Sequence, residues 1–501
     1  MTATTSFPSS ERRGTAGRLP VAVIGAGPIG LVAAAHLLAR GETPLVLEAG
    51  SAVGTSIRQW AHVRLFSPWK YLIDQTSRGM LEAAGWRAPD ADLLPTGAEF
   101  LTEFLEPLAA LPAIAPRLRL GHQVLAVTRR GIDKVRTANR DTTPFELAVR
   151  GPDGRTTRVL ARAVIDASGT WGTPNPVGAG GVPAAGEAEF GARIHYGIPD
   201  VLGRNRERYA ARRTLVVGSG HSAFTALLDL AALARQVPGT SVVWAVRRHE
   251  LGLLFGGGRK DALEARGALG SGLQHLVATG GVELVSGFRV DRIGSEDGRL
   301  RVEAEDGRRI EGLDQVIVTT GFRPDLQLTR ELRLRLDPWL EAPETLAPLI
   351  DPNLHSCGTV YPHGATELAH PERDFYVVGM KSYGRAPTFL LLTGYEQVRS
   401  VVSALVGDEE GARNVELVLP ETGVCQSDLG GSSCCGVGDA LEEPAPVALG
   451  LGASALAARA AEASLAAGTA ERAPTAGGCG CGTAPGIARR APAAGGARCC
   501  G

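Results

Sequence analysis

No cysteine occurs before Cys357 in this chain of 501 residues, so thiol chemistry built into the upstream sequence is excluded. Lysine is nearly missing: only Lys70, Lys134, Lys260 and Lys381 stand among 52 basic residues, a bias that reflects a GC-rich coding sequence more than a demand for guanidinium groups. Charge of one sign is missing too. The 52 basic and 53 acidic residues leave a formal net charge of -1, which gives no basic field to attract nucleic acid. The first twenty residues hold Arg12-Arg13 but no apolar core of about 7–15 residues, so export is not expected and a cytoplasmic location is. No run reaches the roughly 18–20 apolar residues of a membrane span; the nearest, from Val447, is cut by Arg459, so a soluble protein without a membrane partner is expected. Aromatic residues are absent from Glu421 onward, where Ala, Gly, Pro and Ser stretches cannot bury enough apolar area to offset ordering entropy. That region is expected to be a disordered tail with one Ala-rich helix near Ser454–Ala467.

The chain as a whole is 44% apolar, enough for two or three domains. Short apolar strands alternate with helical stretches, the pattern of an α/β protein with parallel sheets. Val21–Gly25 predicts a buried strand, Pro28–Arg40 a helix and Pro44–Glu48 the next strand. Leu215–Gly218, Ser222–Arg235 and Ser241–Val246 repeat that order. A second echo pairs Val164–Gly169 with Val316–Gly321, each an apolar strand ending in a turn of small residues. Arg119–Thr128 and Leu300–Ile310 read as ordinary β-rich stretches.

Gly25-Ala26-Gly27-Pro28-Ile29-Gly30 follows a strand and opens a helix, the context in which such a pattern cradles a pyrophosphate on free helix amides. Glu48, followed by Ala49 and Gly50, ends the second strand where a carboxylate accepts from ribose hydroxyls. The second turn, Gly218-Ser219-Gly220-His221-Ser222-Ala223, has alanine in the third small position. The strand after it ends in Arg247-Arg248 instead of an acid, and guanidinium groups bind a 2′-phosphate that a carboxylate would repel. The second unit is therefore expected to prefer NADPH over NADH.

Two such units, acidic at the first ribose position and basic at the second, resemble the two-dinucleotide flavoproteins that carry FAD and NADPH, over roughly residues 20–405. The resemblance implies two Rossmann-like domains, an FAD domain with an inserted NADPH domain, followed by the Cys-containing tail. Its boundaries are an N-terminal stretch 1–19, FAD-binding parts 20–169 and 322–410, an NADPH-binding domain 170–321 and a tail 421–501. The disulfide-reductase branch needs a cysteine pair against the flavin, and SAVGTSIRQW at 51–60 has none. The flavin-containing, Baeyer–Villiger-type monooxygenase branch is the nearer match, through Trp60–Pro68 (WAHVRLFSP), Gly169–Pro174 (GTWGTP) and Thr320–Asp325 (TGFRPD). The branch signature is Phe-x-Gly, three residues, then His; this chain keeps Gly191 and His195 but has Glu189 in place of the phenylalanine. The resemblance implies flavin contacts at Trp60, Ser168, Gly169 and Gly379, with Gly321 on the NADPH side. His195-Tyr196 before Pro199 reads either as an interdomain hinge that couples NADP binding to flavin access or as a packed, hydrogen-bonded surface pair, and the resemblance makes Asp374–Gly379 and Pro387–Leu405 the final flavin strand, turn and helix. The RLFSPW and HSCGTVYPHG segments with the tail cysteines also look like actinobacterial flavoproteins of arsenic-resistance gene sets.

Cys434-Cys435, Cys479-Gly480-Cys481 and Cys499-Cys500 are close thiol pairs suited to soft metals or metalloids, and the last resembles the terminal pair of mercuric reductases. Cys357, His355, His363, Glu367 and His370 offer further donors in a segment that reads as a structural loop, although Cys357 could meet a substrate. Three functions stay open. One is a monooxygenase passing hydride from NADPH to FAD, activating O2 at flavin C4a and oxygenating a small substrate. The second is a flavoprotein reductase working through tail thiols, and the third a redox or metal sensor without turnover. Substrate and oligomeric state stay open as well.

Overall fold

The computed structural model describes residues 19–249, 254–255, 264–355, 362–387 and 389–417. The tail beyond Glu421, the Ser454–Ala467 stretch and all eight cysteines lie outside the described residues. Among those described, no helix is long and apolar enough to cross a membrane.

Val21–Ile24 is apolar at every position and buried at every position, which suits a central strand covered on both faces. It is β1 of a five-stranded sheet with β2 (Pro44–Leu47), β3 (Leu118–Arg119), β7 (Ala163–Asp166) and β16 (Phe375–Val377). All its pairings are parallel, in the spatial order β16-β7-β1-β2-β3. Alternate residues of β1 serve opposite layers, as the strand period of two requires. Val21 and Val23 pack into a helical layer with α1 (Pro28–Ala39), while Ala22 and Ile24 pack against an antiparallel sheet. That sheet is β4 (Gln123–Arg129), β5 (Phe145–Arg150) and β6 (Thr156–Ala161).

The same three-layer plan recurs in the second unit. Its parallel sheet has β8 (Ile194–Tyr196), β9 (Arg213–Val217), β10 (Ser241–Ala245), β11 (Glu283–Val285) and β15 (Gln315–Val318) in the order β11-β10-β9-β15-β8. Val216, Val242 and Trp244 face α2 (His221–Gln236) and α3 (Glu264–Ala278). Leu215, Val217 and Val243 face the antiparallel β12 (Val290–Glu296), β13 (Arg299–Ala304) and β14 (Arg309–Leu313). The predicted stretch Leu300–Ile310 is thus two strands folded at Asp306-Gly307. The chain leaves the first sheet after β7, builds the second, and returns to the first with β16.

The long helix that follows β16, α4, runs Leu391–Leu405 and not from Pro387. Leu390 is still extended (φ −114°, ψ 146°), and the first helical turn is placed by Gly394, where a side chain would strike Ile29 and Phe389.

Behind the first unit, Glu372 receives two guanidinium groups with essentially no exposure of any of the three side chains (0%, 1% and 3%). Arg129 Nε donates at 2.7 Å, Arg140 Nη2 at 2.7 Å, and the Arg333 amide at 3.0 Å. Remaining guanidinium protons go to the carbonyls of Thr143, Asp133 and Glu331. Burial alone would raise the Glu372 carboxyl, but Arg140, the Arg333 amide and Arg129 outweigh it and hold it below the ordinary range. This triad ties the β4–β5 connection and the 331–333 segment to the approach of β16.

Removing the acid leaves two buried cations unpaired. Glu372→Gln is therefore expected to lower unfolding free energy by about 3–5 kcal/mol, read as an earlier urea midpoint at pH 7. Because the folded carboxyl titrates low, the triad's contribution is present above the unfolded carboxylate range and is lost as pH falls through the folded value. The gap between wild type and variant should therefore shrink on acidification.

Candidate active site: two grooves at aligned strand ends

Register places the chemistry. In the first sheet Ile24 pairs with Leu47 and with Asp166, and Asp166 with Val377, so four strands end in one row. The turns after them, at Gly25, Glu48, Ala167–Gly169 and Gly379, gather on one edge. Gly25 holds φ +98°, and a Cβ there would sit 2.8 Å from the Ala167 carbonyl oxygen, so only glycine lets the two turns touch. A Cβ on Gly30 would come within 1.9 Å of the Gly25 carbonyl oxygen, which is the close helix-to-strand approach such turns need. Gly27 borders open space and caps α1 without any side-chain hydrogen bond, leaving the helix N-terminus to whatever occupies that space.

Glu48 is buried at the end of β2 and its two oxygens accept from Ala26 N at 2.7 Å and Gly50 N at 2.8 Å. The carboxylate therefore shapes the turn and keeps further acceptor lone pairs beyond these two bonds. Ala49 is exposed beside it, and Ile29 is buried against Gly379 and Gly394.

Opposite the glycine turn lies a buried network that the sequence did not announce. Lys381 Nζ donates to Asp166 Oδ2 at 2.8 Å and to Ser168 Oγ at 3.0 Å, and Ser168 Oγ donates to Asp166 Oδ1 at 2.6 Å. Next to it Gln397 of α4 accepts from Gly379 N at 2.8 Å and donates to Ser382 Oγ at 2.9 Å.

In the second unit Tyr196, Val318, Val217, Ala245 and Val285 form the corresponding row. Gly218 holds φ +134° with its Cβ position 2.5 Å from the Thr319 carbonyl oxygen, and Gly220 borders open space at the uncapped start of α2. Trp244 Nε1 donates to the Gly218 carbonyl at 2.7 Å, which stiffens the turn from below. A cavity of about 80 Å³ opens there, lined by Trp171, Gly197, Ser222, Thr319, Gly321 and Phe322 among others. Ser219 is half-buried and Ala223 buried. Past β10, Arg247 is exposed, touching the Ala179 carbonyl at 3.3 Å, and Arg248 is half-buried, its guanidinium pKa lowered by that burial.

A short segment of the first unit, residues 59–66, reaches the second. Gln59 accepts from Trp171 Nε1 at 2.9 Å and from Arg204 Nη2 at 2.6 Å. Trp60 lies 6.5 Å from Trp171, which stacks on Phe322 at 4.6 Å, and Phe66 lies 5.5 Å from His221. The two connecting strands are zipped together by Asn175 N to Gly321 O at 2.9 Å and Arg323 N to Thr173 O at 3.0 Å.

His195 and Tyr196 sit on β8 in this region. Desolvation, with Arg208, Arg204 and His62 nearby, brings the His195 imidazole down to about 4. The Tyr196 hydroxyl donates to the buried Glu187 carboxylate, which also takes the amides of Val177 and Ala184; burial and this acid push the phenol well above its usual range. Cys357 lies outside the described residues, as do the proposed metal thiols Cys434, Cys435, Cys479, Cys481, Cys499 and Cys500. The histidines around position 360 do not converge. His355 meets the Pro348 carbonyl, His363 the Gln397 amide, and His370 the Arg335 amide, while Glu367 caps the helix Ala365–Leu368. Among the described residues no group of three or more His, Cys, Asp or Glu is arranged to hold a metal.

A neutral His195 is expected to show a two-dimensional NMR titration near 4 and none between 6 and 7. Since the unfolded imidazole takes its proton first on acidification, His195 should cost stability as pH falls from about 6.5 toward 4, and nothing more below that.

The family described as pyridine nucleotide-disulphide oxidoreductase matches residues 134–358, and the NAD(P)-binding Rossmann-like domain matches residues 23–82. No curated protein is similar enough in sequence to match the chain. Among solved structures, the bacillithiol disulfide reductase of Bacillus cereus superposes with a TM-score of 0.58 at 18% identity, over 78% of this chain and 99% of that one. A cadaverine monooxygenase of Erwinia amylovora, solved with FAD, gives 0.54 at 14% identity over 82% and 100%. A flavin-containing monooxygenase of Stenotrophomonas maltophilia gives 0.50 at 20% identity over 78% and 98%. At such identities these structures share the fold with this chain.

Proposed function

We propose that this member of the FAD- and NAD(P)H-binding flavoprotein family, built on two dinucleotide-binding units, is an NADPH-dependent oxidoreductase of the monooxygenase type. One observation carries the choice of type: the chain has no cysteine upstream of Cys357, so no thiol pair can stand at the groove edge of either parallel sheet before that point. The balanced reaction takes NADPH, a proton, O2 and a small nucleophilic or carbonyl substrate to NADP+, water and the oxygenated product. FAD, when bound, supplies the two-electron carrier between NADPH and dioxygen.

The chain's own residues bind and orient. In the first groove the Gly25–Gly30 turn offers helix amides and bare backbone to a pyrophosphate, Glu48 has lone pairs left for ribose hydroxyls, and the Ser168-Gly169 and Gly379 turns close the far side. In the second, Gly218–Ala223 plays the same part and Arg247 and Arg248 meet a 2′-phosphate. Trp60, Trp171 and Phe322 place half-buried aromatic rings together where the first unit reaches the second. His195 stays neutral at working pH and leaves the charge of that region to the arginines.

A thiol or metalloid reductase is the second reading, favoured by seven cysteines beyond residue 420 and by the disulphide-oxidoreductase family match. Oxygen uptake set against NADPH oxidation in the purified holoprotein separates the two. A monooxygenase should consume them one to one, and alanine at all seven tail cysteines should leave the rate unchanged; a reductase should turn over without oxygen and lose its rate in that variant. A sensor would oxidise no NADPH in either case. For the second groove, Arg247→Ala/Arg248→Ala is expected to raise KM for NADPH by about tenfold or more while leaving KM for NADH little changed, since two charge-assisted bonds to the phosphate are lost.

A further inference from the structure

We propose that Lys381 is a positioning residue for FAD: bonded to both Asp166 and Ser168, it fixes the Ser168 hydroxyl and the Gly379 turn against the first groove. The inference rests on the reading that this groove holds FAD.

Three turns surround the groove, and the Gly379 turn meets the end of β7 through a single backbone hydrogen bond, Val378 N donating to Asp166 O at 3.0 Å. The Gly25 turn touches Ala167-Ser168, with the Gly25 Cβ position 3.2 Å from Ser168 Cα. The Gly379 turn rests on the Ile29 side chain of α1, its Cβ position 3.0 Å from Ile29 Cγ1. Lys381 reinforces that side with two buried side-chain bonds, from the Gly379–Tyr383 turn to Asp166 at the end of β7 and on to Ser168, across 215 and 213 residues of sequence. Ser168 is exposed at the groove edge while its hydroxyl is held on both sides, donating to Asp166 and accepting from Lys381. The pair beneath it is shut off from water, with 1% and 0% side-chain exposure.

A buried ion pair of this kind is weak support for stability, because desolvation of both ions offsets their attraction. Its location is therefore the informative feature: it stands at the carboxyl edge of the sheet, where ligands of parallel sheets bind, and not at the opposite edge. The choice of residue agrees. In a chain whose 52 basic residues include only four lysines, the buried cation of the first groove is a lysine, whose compact ammonium shares its protons between the Asp166 and Ser168 oxygens. The adjacent Gln397 of α4 accepts from the Gly379 amide, so the turn is held by Gln397 as well as through Lys381.

The test is FAD rebinding to FAD-stripped full-length protein, followed by flavin fluorescence quenching, with the apoprotein thermal midpoint and the midpoint potential of the bound flavin measured alongside. Lys381→Met and Asp166→Asn are each expected to weaken FAD binding by about tenfold or more, the loss of a charge-assisted contact, and to shift the flavin potential. Ser168→Ala should weaken binding with an unchanged thermal midpoint. The charge-free double variant Lys381→Met/Asp166→Leu keeps the test alive if a single variant fails to fold. It should regain the thermal midpoint without regaining FAD affinity or the wild-type potential. Affinity and potential that recover together with the midpoint, or that never change, would overturn the positioning role. Wild-type apoprotein that does not rebind FAD would overturn the reading of the groove itself and the inference with it.

Discussion

Parallel pairing is the constraint on which everything else in this protein depends. When neighbouring strands run the same way in register, their carboxyl ends fall on one edge, and every turn that follows them is delivered there. Ile24, Leu47, Asp166 and Val377 form one such row and Tyr196, Val318, Val217 and Ala245 another. The glycines, Glu48, Ser168, the Arg247-Arg248 pair and Lys381 come from distant parts of the chain, yet each stands at or just past a strand end in those rows. The grooves are consequences of sheet register, and the helices that begin at Pro28 and His221 point their N-termini into them for the same reason.

A layered plan repeated twice leaves a seam between the units, and the way polar groups are spent there is uneven. Far from the grooves, Glu372 with Arg129 and Arg140 is saturated with partners and acts as a fixed clamp. Along the seam the contacts are aromatic faces and single hydrogen bonds, such as Gln59 to Trp171 and Phe66 beside His221. That contrast fits rigid cofactor cradles joined by a lighter contact, through which a short segment of the first unit reaches the nucleotide turn of the second.

Much of this was legible in the sequence, and the limits of legibility are physical. The glycine turns were readable because backbone close approach leaves no alternative residue, and the strand-helix-strand units because apolar runs and helical stretches alternate locally. Glu48 was found by its distance from the turn, although its capture by the Ala26 and Gly50 amides depends on three-dimensional closure. Lys381 with Asp166, and Glu372 with its arginines, were invisible, since their partners lie 215, 243 and 232 residues away and lone charged residues carry no pattern. Met380-Lys381 after Gly379 was the one available signal: a scarce lysine directly behind a strand-end glycine. Pro387 has the look of a first-turn proline in the sequence, yet α4 begins four residues later, where Gly394 packs against Ile29. Tyr196 read as a hinge residue, and its bond to Glu187 could not be seen without the loop that brings the acid back.

The central claim is that two grooves, built from two register rows, pass electrons from NADPH to a flavin. It is tested most directly by mixing the flavin-loaded protein anaerobically with NADPH or NADH and following the flavin absorbance by stopped flow. The account predicts bleaching of the oxidised flavin bands by NADPH, with NADH far slower at equal concentration. A flavin that stays oxidised with NADPH, or one bleached equally by both nucleotides, would contradict it.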